Sequence, residues 1–182
     1  MPTLFEPITI GKLKLKNRLV RSATWDGAAD SQGAVTDGAI ELFRELGRGD
    51  IGLIITGHSF VSPMGQGGPG QYGIHRDEMI PGLRRLTDAV HREGSKIAVQ
   101  ITHCGINSGY LRRLGITLQG VSKLEEIETP HKAMTDSEIK AVIADFASAA
   151  KRAIEAGFDA VQLHGAHGFL MSQFLSPFFP QP

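Results

Sequence analysis

Two histidines separated by two small residues, His164-Gly-Ala-His167, follow the apolar run Asp159-Ala-Val-Gln-Leu163. Small neighbours let both imidazoles project without crowding. Two imidazole N–H groups can together bind and polarise one carbonyl oxygen; two internally satisfied histidines at a strand end are the plainer reading. A metal site would need further ligands, such as His58, His103 or Cys104. The pattern His-Glu-x-x-His is absent and the ligand types do not cluster, so no metal is expected. Gln100 ends another apolar run, residues 96–101. Its amide needs partners for both oxygen and NH₂. A heterocycle edge with alternating donors and acceptors would supply them, and so would neighbouring backbone. Cys104 reads as a small buried hydrophobe, and its neighbour His103 turns to the opposite face of an extended chain, which argues against a Cys–His dyad.

Gly65-Gln-Gly-Gly-Pro-Gly70 matches the dinucleotide pattern G-x-G-x-x-G letter for letter. Its context does not fit, because Pro69 interrupts it and no helix follows directly. The run reads instead as a mobile loop.

The elements that must hold these residues alternate between strand and helix. Two short alternating runs around Gly11 predict a hairpin over residues 8–15, and residues 17–23 read as a strand. Thr36 is a candidate N-cap with Asp37 in the first turn, and Gly47 and Gly49 are read as the stop of that helix. Residues 51–56 form an apolar run suited to a strand buried on both faces. A long loop over 57–78 leads to a helix from about 79 to 93, with Leu83, Leu86 and Val90 on one stripe and Gly94 as its stop. Residues 96–101 form the next strand, and 102–134 read as another long loop. Thr135-Asp-Ser-Glu138 is a capping box. It opens a helix with Ile139, Val142, Ile143, Phe146, Ala150 and Ile154 in register, and a strand over 159–163 follows. The order β, α, β, α, β, α, β implies a parallel sheet covered by helices. Polar residues cluster just after each strand: Ser22, Ala23, Thr24 and Trp25; Gly57 and His58; Gln100 to Cys104; His164 and His167. In parallel α/β folds, ligands lie beyond the carboxyl ends of the strands. Residues 174–182 are apolar and unpatterned.

Composition narrows the function classes. The chain has 182 residues, 41% of them hydrophobic and 21% charged, which suits a single globular domain over 1–182. Nineteen basic and nineteen acidic residues cancel, so no general electrostatic grip on nucleic acid or an anionic membrane is expected. A lone cysteine excludes an intramolecular disulfide framework. No run approaches a membrane span and no secretory signal is visible, so a cytoplasmic protein is expected. Glycine is enriched, with 22 residues, which points to tight loops or backbone brought close to a ligand.

The sequence resembles the Old Yellow Enzyme family of FMN-dependent oxidoreductases, specifically their N-terminal half. The motifs are Leu4-Phe-x-Pro-Ile-Thr-Ile10, Leu15-Lys-Asn-Arg-Leu-Val20, Gly52-Leu-Ile-Ile-Thr56, Val99-Gln-Ile-Thr-His103, Ala156-Gly-Phe-Asp159 and His164-Gly-Ala-His-Gly-Phe-Leu-Met-Ser-Gln-Phe-Leu-Ser-Pro177. The resemblance implies a (β/α)₈ TIM barrel of the α/β class. This chain would supply about the first four β/α units, a half-barrel with an N-terminal β-hairpin, against the eight strands and about 250 residues of a full barrel. It implies FMN at the C-terminal face of the strands, with Ser22, Ala23 and Thr24 along the flavin, Trp25 adjoining, and Gly57 and His58 at the next strand end. Gln100 would bond the pyrimidine edge, and His164 and His167 would hold the substrate oxygen. The implied chemistry is reduction of FMN by NAD(P)H, then hydride transfer to an unsaturated carbonyl-type small molecule. The family's phosphate-binding loops would lie beyond this chain, which reads as truncated and as a homo-oligomer through its open sheet edges; a half-barrel that binds ligand without turnover is the alternative. Phe169 stands where the family often has a proton-donating Tyr, and Ile106 where many members have Arg. Trp25 stands where some members have Cys or Thr.

Overall fold

A computed structural model describes residues 3–179. Two three-residue strands, β1 (Ile8–Ile10) and β2 (Leu13–Leu15), form the antiparallel hairpin read from the sequence, with Ile8 opposite Leu15. Gly11 turns it at φ +58°, where a side chain would be strained. The main sheet is parallel. It runs β3 (Val20–Arg21), β4 (Leu53–Ile55), β6 (Lys96–Thr102), β9 (Ala160–Leu163). The two-residue β5 (Ser59–Phe60) continues the β4 side of β6, pairing with Ile101 and Thr102. Strand order across the sheet follows chain order, and helices return between strands, as in the first half of a (β/α)₈ barrel.

The first strand is shorter than the sequence suggests. Asn17 is diverted from the ladder: its Nδ2 donates to Asp50 O and its Oδ1 accepts from Leu19 N. Helices α1 (Asp37–Arg48), α2 (Ile80–Arg92) and α4 (Asp136–Glu155) cover one sheet face. Thr36 caps α1 by accepting from Ala39 N at 3.1 Å. Gly47 does not stop α1. It lies inside the helix, where an added Cβ would sit 3.0 Å from Glu93 Cβ; close packing against the end of α2 explains the glycine. The Thr135–Glu138 capping box is present in full. The stripe of α4 is rotated from the one read by periodicity: Ala149 and Ala153 are buried, whereas Ile143 and Ile154 are exposed. Small side chains face the sheet here because Phe43, Leu83, Leu86 and Val90 already fill the layer with Ile54, Ile97, Val99 and Ile101. Burying a side chain the size of Phe43 contributes about 1.5–3 kcal/mol.

The opposite face is the inner one. Leu53, Ile55 and Ala98 pack there with Leu15, and Leu13, Ile8 and Ala160 adjoin them. Leu53 and Ala160 open their strands and Ala98 lies in the first half of β6, so the hairpin covers the N-terminal end of the sheet and leaves the C-terminal strand ends free.

Residues 102–134 are not a featureless loop. They hold the short α3 (Gly109–Arg113) and a parallel pair, β7 (Leu118–Gly120) and β8 (His131–Ala133). Ile106, Val121, Leu124 and Met134 form a second core there with Leu170. Leu170 opens α5 (Leu170–Leu175), so the start of the tail is helical; residues 180–182 lie outside the described residues. No helix among the described residues is long and apolar enough to cross a membrane.

Candidate functional site

Four strand ends surround a cavity of about 460 Å³ lined by Ala23, Trp25, His58, Gln100, Gln162, His164 and His167, together with Leu163, Gly165 and Ala166. Gln100 and Gln162 face each other because β6 and β9 pair in register. Gln100 Nε2 donates to Gln162 Oε1 at 2.7 Å. That bond leaves an acceptor on Gln100 and a donor on Gln162 side by side on the inner wall.

His164 is buried, and its backbone N–H donates to Ile101 O at 3.1 Å, which ties it to β6. Ala166 N–H donates to His164 Nδ1 at 3.3 Å. Nδ1 is therefore an acceptor, and the ring proton sits on Nε2. Burial holds the His164 imidazole below its usual range, reinforced by His58 and His167. The ring of His167 lies 5.0 Å from that of His164, centroid to centroid. Its backbone adopts φ +57°, a left-handed conformation sparsely used by non-glycine residues and concentrated at functional sites. Side chains hold that turn. Asn107 Nδ2 donates to His167 O and Gly168 O, and buried Gln173 donates to Gly168 O at 2.7 Å. Gly105 and Gly120 give Gln173 room: a Cβ on Gly105 would lie 2.7 Å from its Nε2.

His58 completes a row of rings. It stands 5.1 Å from Trp25, 5.7 Å from His164 and 5.5 Å from Phe169. Phe169 packs 4.7 Å from His164. Behind His58, buried Gln71 accepts from Gly67 N at 2.7 Å and donates to both His58 Nδ1 and His58 O. Burial lowers the His58 pKa, and the nearby His167 ring adds to that. The 65–70 run, read as a mobile loop, is bonded at both ends and in the middle: Cys104 N–H to Gly65 O, Ser108 Oγ to Gln66 O, Ala29 N–H to Gly70 O. A Cβ on Gly68 would lie 2.7 Å from the Trp25 ring, and one on Gly67 2.8 Å from Cys104 Sγ. These glycines serve close packing around the site.

Of the residues read from sequence, Ala23, Trp25, His58, Gln100, His164 and His167 converge on the cavity. Ser22, Thr24 and Gly57 adjoin it without lining it. Gly57 is needed there because a Cβ would meet Thr24 O at 2.8 Å. Gln162, Gln71, Asn107 and Gln173 were missed. For Gln162 the signal was present, a polar residue two positions before His164 on an apolar strand; the other three act across the fold. Cys104 is fully buried, and burial pushes its thiol up to about 12, so it is no nucleophile at neutral pH. Burial likewise lowers His103 to about 4. Among the described residues, no three His, Cys, Asp or Glu converge as a metal site. A second groove, of about 310 Å³, lies between α4, α5 and Leu163 and is wholly apolar.

The chain and its fold have relatives among known proteins. The family described as NADH:flavin oxidoreductase / NADH oxidase matches residues 3–181. The chain is 38% identical to 4,4'-dithiodibutanoate disulfide reductase of Rhodococcus erythropolis, covering 97% of this chain and 43% of that protein. It is 36% identical to NADPH dehydrogenase of Clostridium acetobutylicum, over 96% of this chain and 51% of the other. Among solved structures, the Old Yellow Enzyme of a Pichia species superposes with TM-score 0.87 at 32% identity, over 96% of this chain and 48% of that one. Morphinone reductase in complex with tetrahydroNAD gives TM-score 0.87 at 28% identity, over all of this chain and 54% of that one. The chain thus spans about half the length of these relatives.

Proposed function

The chain belongs to the Old Yellow Enzyme, or NADH:flavin oxidoreductase, family, and on that basis we propose that its cavity is the ring-binding part of an FMN site that reduces an activated alkene with NAD(P)H. The observation that carries this reading is the cavity wall: an amide pair with one acceptor and one donor left over on one side, two imidazoles on the other. An isoalloxazine pyrimidine edge alternates acceptors and donors and suits the Gln100–Gln162 pair. Ser22, Ala23, Thr24 and Gly57 would line its approach, with Trp25 and His58 at its margin. FMN, when bound, would supply the hydride chemistry that links NAD(P)H to the alkene.

The chain's own residues do the rest. His164, with its proton placed on Nε2 by Ala166 N–H, donates to the substrate carbonyl oxygen; His167 donates beside it. Ring N–H donors held in place before reaction stabilise charge that develops on that oxygen. Phe169 packs on His164 and has no proton to give, so the proton to the product comes from solvent or another group.

A second reading has its own support. The lining of this cavity holds no Lys or Arg, so the 182-residue chain would bind the flavin ring without gripping its phosphate and would not turn over. Titration with FMN and with riboflavin separates the two. Trp25, the only tryptophan, lines the cavity, so its fluorescence reports binding. Tight FMN binding with bleaching of the flavin by NADH or NADPH supports the enzyme reading. Equal, weak affinity for FMN and riboflavin supports the second. No response to either flavin refutes both.

A further inference from the structure

Resting on the carbonyl-pocket reading above, we propose that His58, positioned by Gln71, is a specificity-determining donor for a second carbonyl oxygen, so that the favoured substrate is a flat unsaturated ring bearing oxygens at opposite ends, an ene-dione. The argument begins at Gly67. Its backbone N–H can only donate, and it donates to Gln71 Oε1. The Gln71 amide is thereby oriented, and its NH₂ must be the group facing His58 Nδ1 at 3.0 Å. An NH₂ cannot accept, so Nδ1 carries no proton and Nε2 does. The second Gln71 bond, to His58 O at 3.1 Å, locks the same arrangement.

The His58 side-chain bond runs through Nδ1, which leaves Nε2–H without a hydrogen-bond partner among the described residues, on a ring that lines the cavity. His164 is set the same way by Ala166 N–H. The wall therefore presents fixed imidazole donors on His58 and His164, whose ring centroids are 5.7 Å apart. The cavity lining contains no Asp or Glu to receive them. Apart from the Gln100 amide oxygen, assigned above to the flavin edge, the wall offers these donors no carboxylate, and they suit a ligand that brings acceptor oxygens. Phe169, which is not itself part of the lining, packs against both rings, 5.5 Å from His58 and 4.7 Å from His164, and holds them in place. One oxygen held by His164 and His167 and another by His58 describes a small ring with carbonyls across it. A substrate with one carbonyl would leave His58 unpaired on binding, and an unpaired, desolvated polar group opposes binding.

Histidine-selective ¹⁵N NMR reads the tautomer directly, and ketoisophorone against isophorone, titrated with FMN present, reads the selectivity. The expected result is the neutral Nε2–H form for His58, and a shift of its resonances with ketoisophorone. In Gln71→Glu, a carboxylate that can only accept should pull the proton to Nδ1. His58→Phe keeps the ring packing and should lower the preference for the dione roughly fivefold, the worth of one net hydrogen bond. A parental Nδ1–H tautomer overturns the proposal, as does an unchanged dione-to-enone ratio in His58→Phe; in both cases the carbonyl-pocket reading stands. If neither compound binds the parental protein, that reading falls and this inference with it.

Discussion

Replacing Asp159 with alanine should destabilise the chain by about 2–4 kcal/mol, although the residue lies at the far end of the sheet from the cavity. Its carboxylate accepts from the backbone N–H of Ile97 at 2.9 Å, from Lys96 Nζ at 2.8 Å and from His91 Nε2 at 2.7 Å. Ile97 is fully buried. Losing a charged acceptor there costs about 1.5–3 kcal/mol. The Lys96 and His91 side chains are 41% and 34% exposed, so solvent screens those pairs, and together they add no more than about 1 kcal/mol. Asp159→Asn keeps an oxygen for Ile97 N–H and should cost only about 1 kcal/mol. Burial by itself would raise the Asp159 pKa, but the bonds from Lys96, Ile97 and His91 outweigh it and hold the carboxyl below its usual value. A carboxyl with a depressed folded pKa stabilises the fold above its unfolded pKa, about 3.9, and loses that contribution as pH falls through the folded value. The gap between parent and Asp159→Asn should therefore be full at neutral pH and close below about pH 4. Urea unfolding followed by circular dichroism at both pH values measures these differences. An Asp159→Ala variant within about 0.5 kcal/mol of the parent, the range of an ordinary surface change, would refute the assignment of Asp159 as the tie between β6 and β9.

Three further outcomes are expected. Changing His164 and His167 together to Ala should weaken enone binding and alkene reduction while leaving the Trp25 fluorescence response to FMN in place; parental enone reduction would remove their assigned role. Phe169→Tyr adds a hydroxyl beside His164 and should leave flavin oxidation by a quinone unchanged while speeding alkene reduction, and a clear loss of that reduction would show that the phenyl ring itself is required. The apolar groove beside the β9 edge, with exposed Ile143 and Leu163, should drive the 182-residue chain to self-associate at micromolar concentration; light scattering that shows only monomer contradicts this, and Ile143→Lys should reduce the association.

Much of this protein was legible in its sequence because the signals are local. The Thr36 cap, the Thr135–Glu138 box, the stripe of Leu83, Leu86 and Val90, and the polar residues after each apolar run all depend on neighbours within a few positions. They determined the strand–helix alternation and hence the edge of the sheet where a ligand belongs. The motif ending at Pro177 pointed to the family. Tertiary structure alone decided what those residues do to one another. Gln100 meets Gln162 because two strands 62 residues apart pair in one register. Gln71 sets the His58 proton only because a glycine-rich loop folds back beneath it. His167 adopts a left-handed backbone that Asn107 and Gln173 hold from other segments. The core-facing stripe of α4 was misjudged for the same reason: periodicity shows that a helix has an apolar side, but which apolar residues are buried depends on the space that Phe43, Leu83 and Leu86 leave. Propensity acts along the chain, whereas register, tautomer and packing volume are fixed by groups that become neighbours only when the chain has folded.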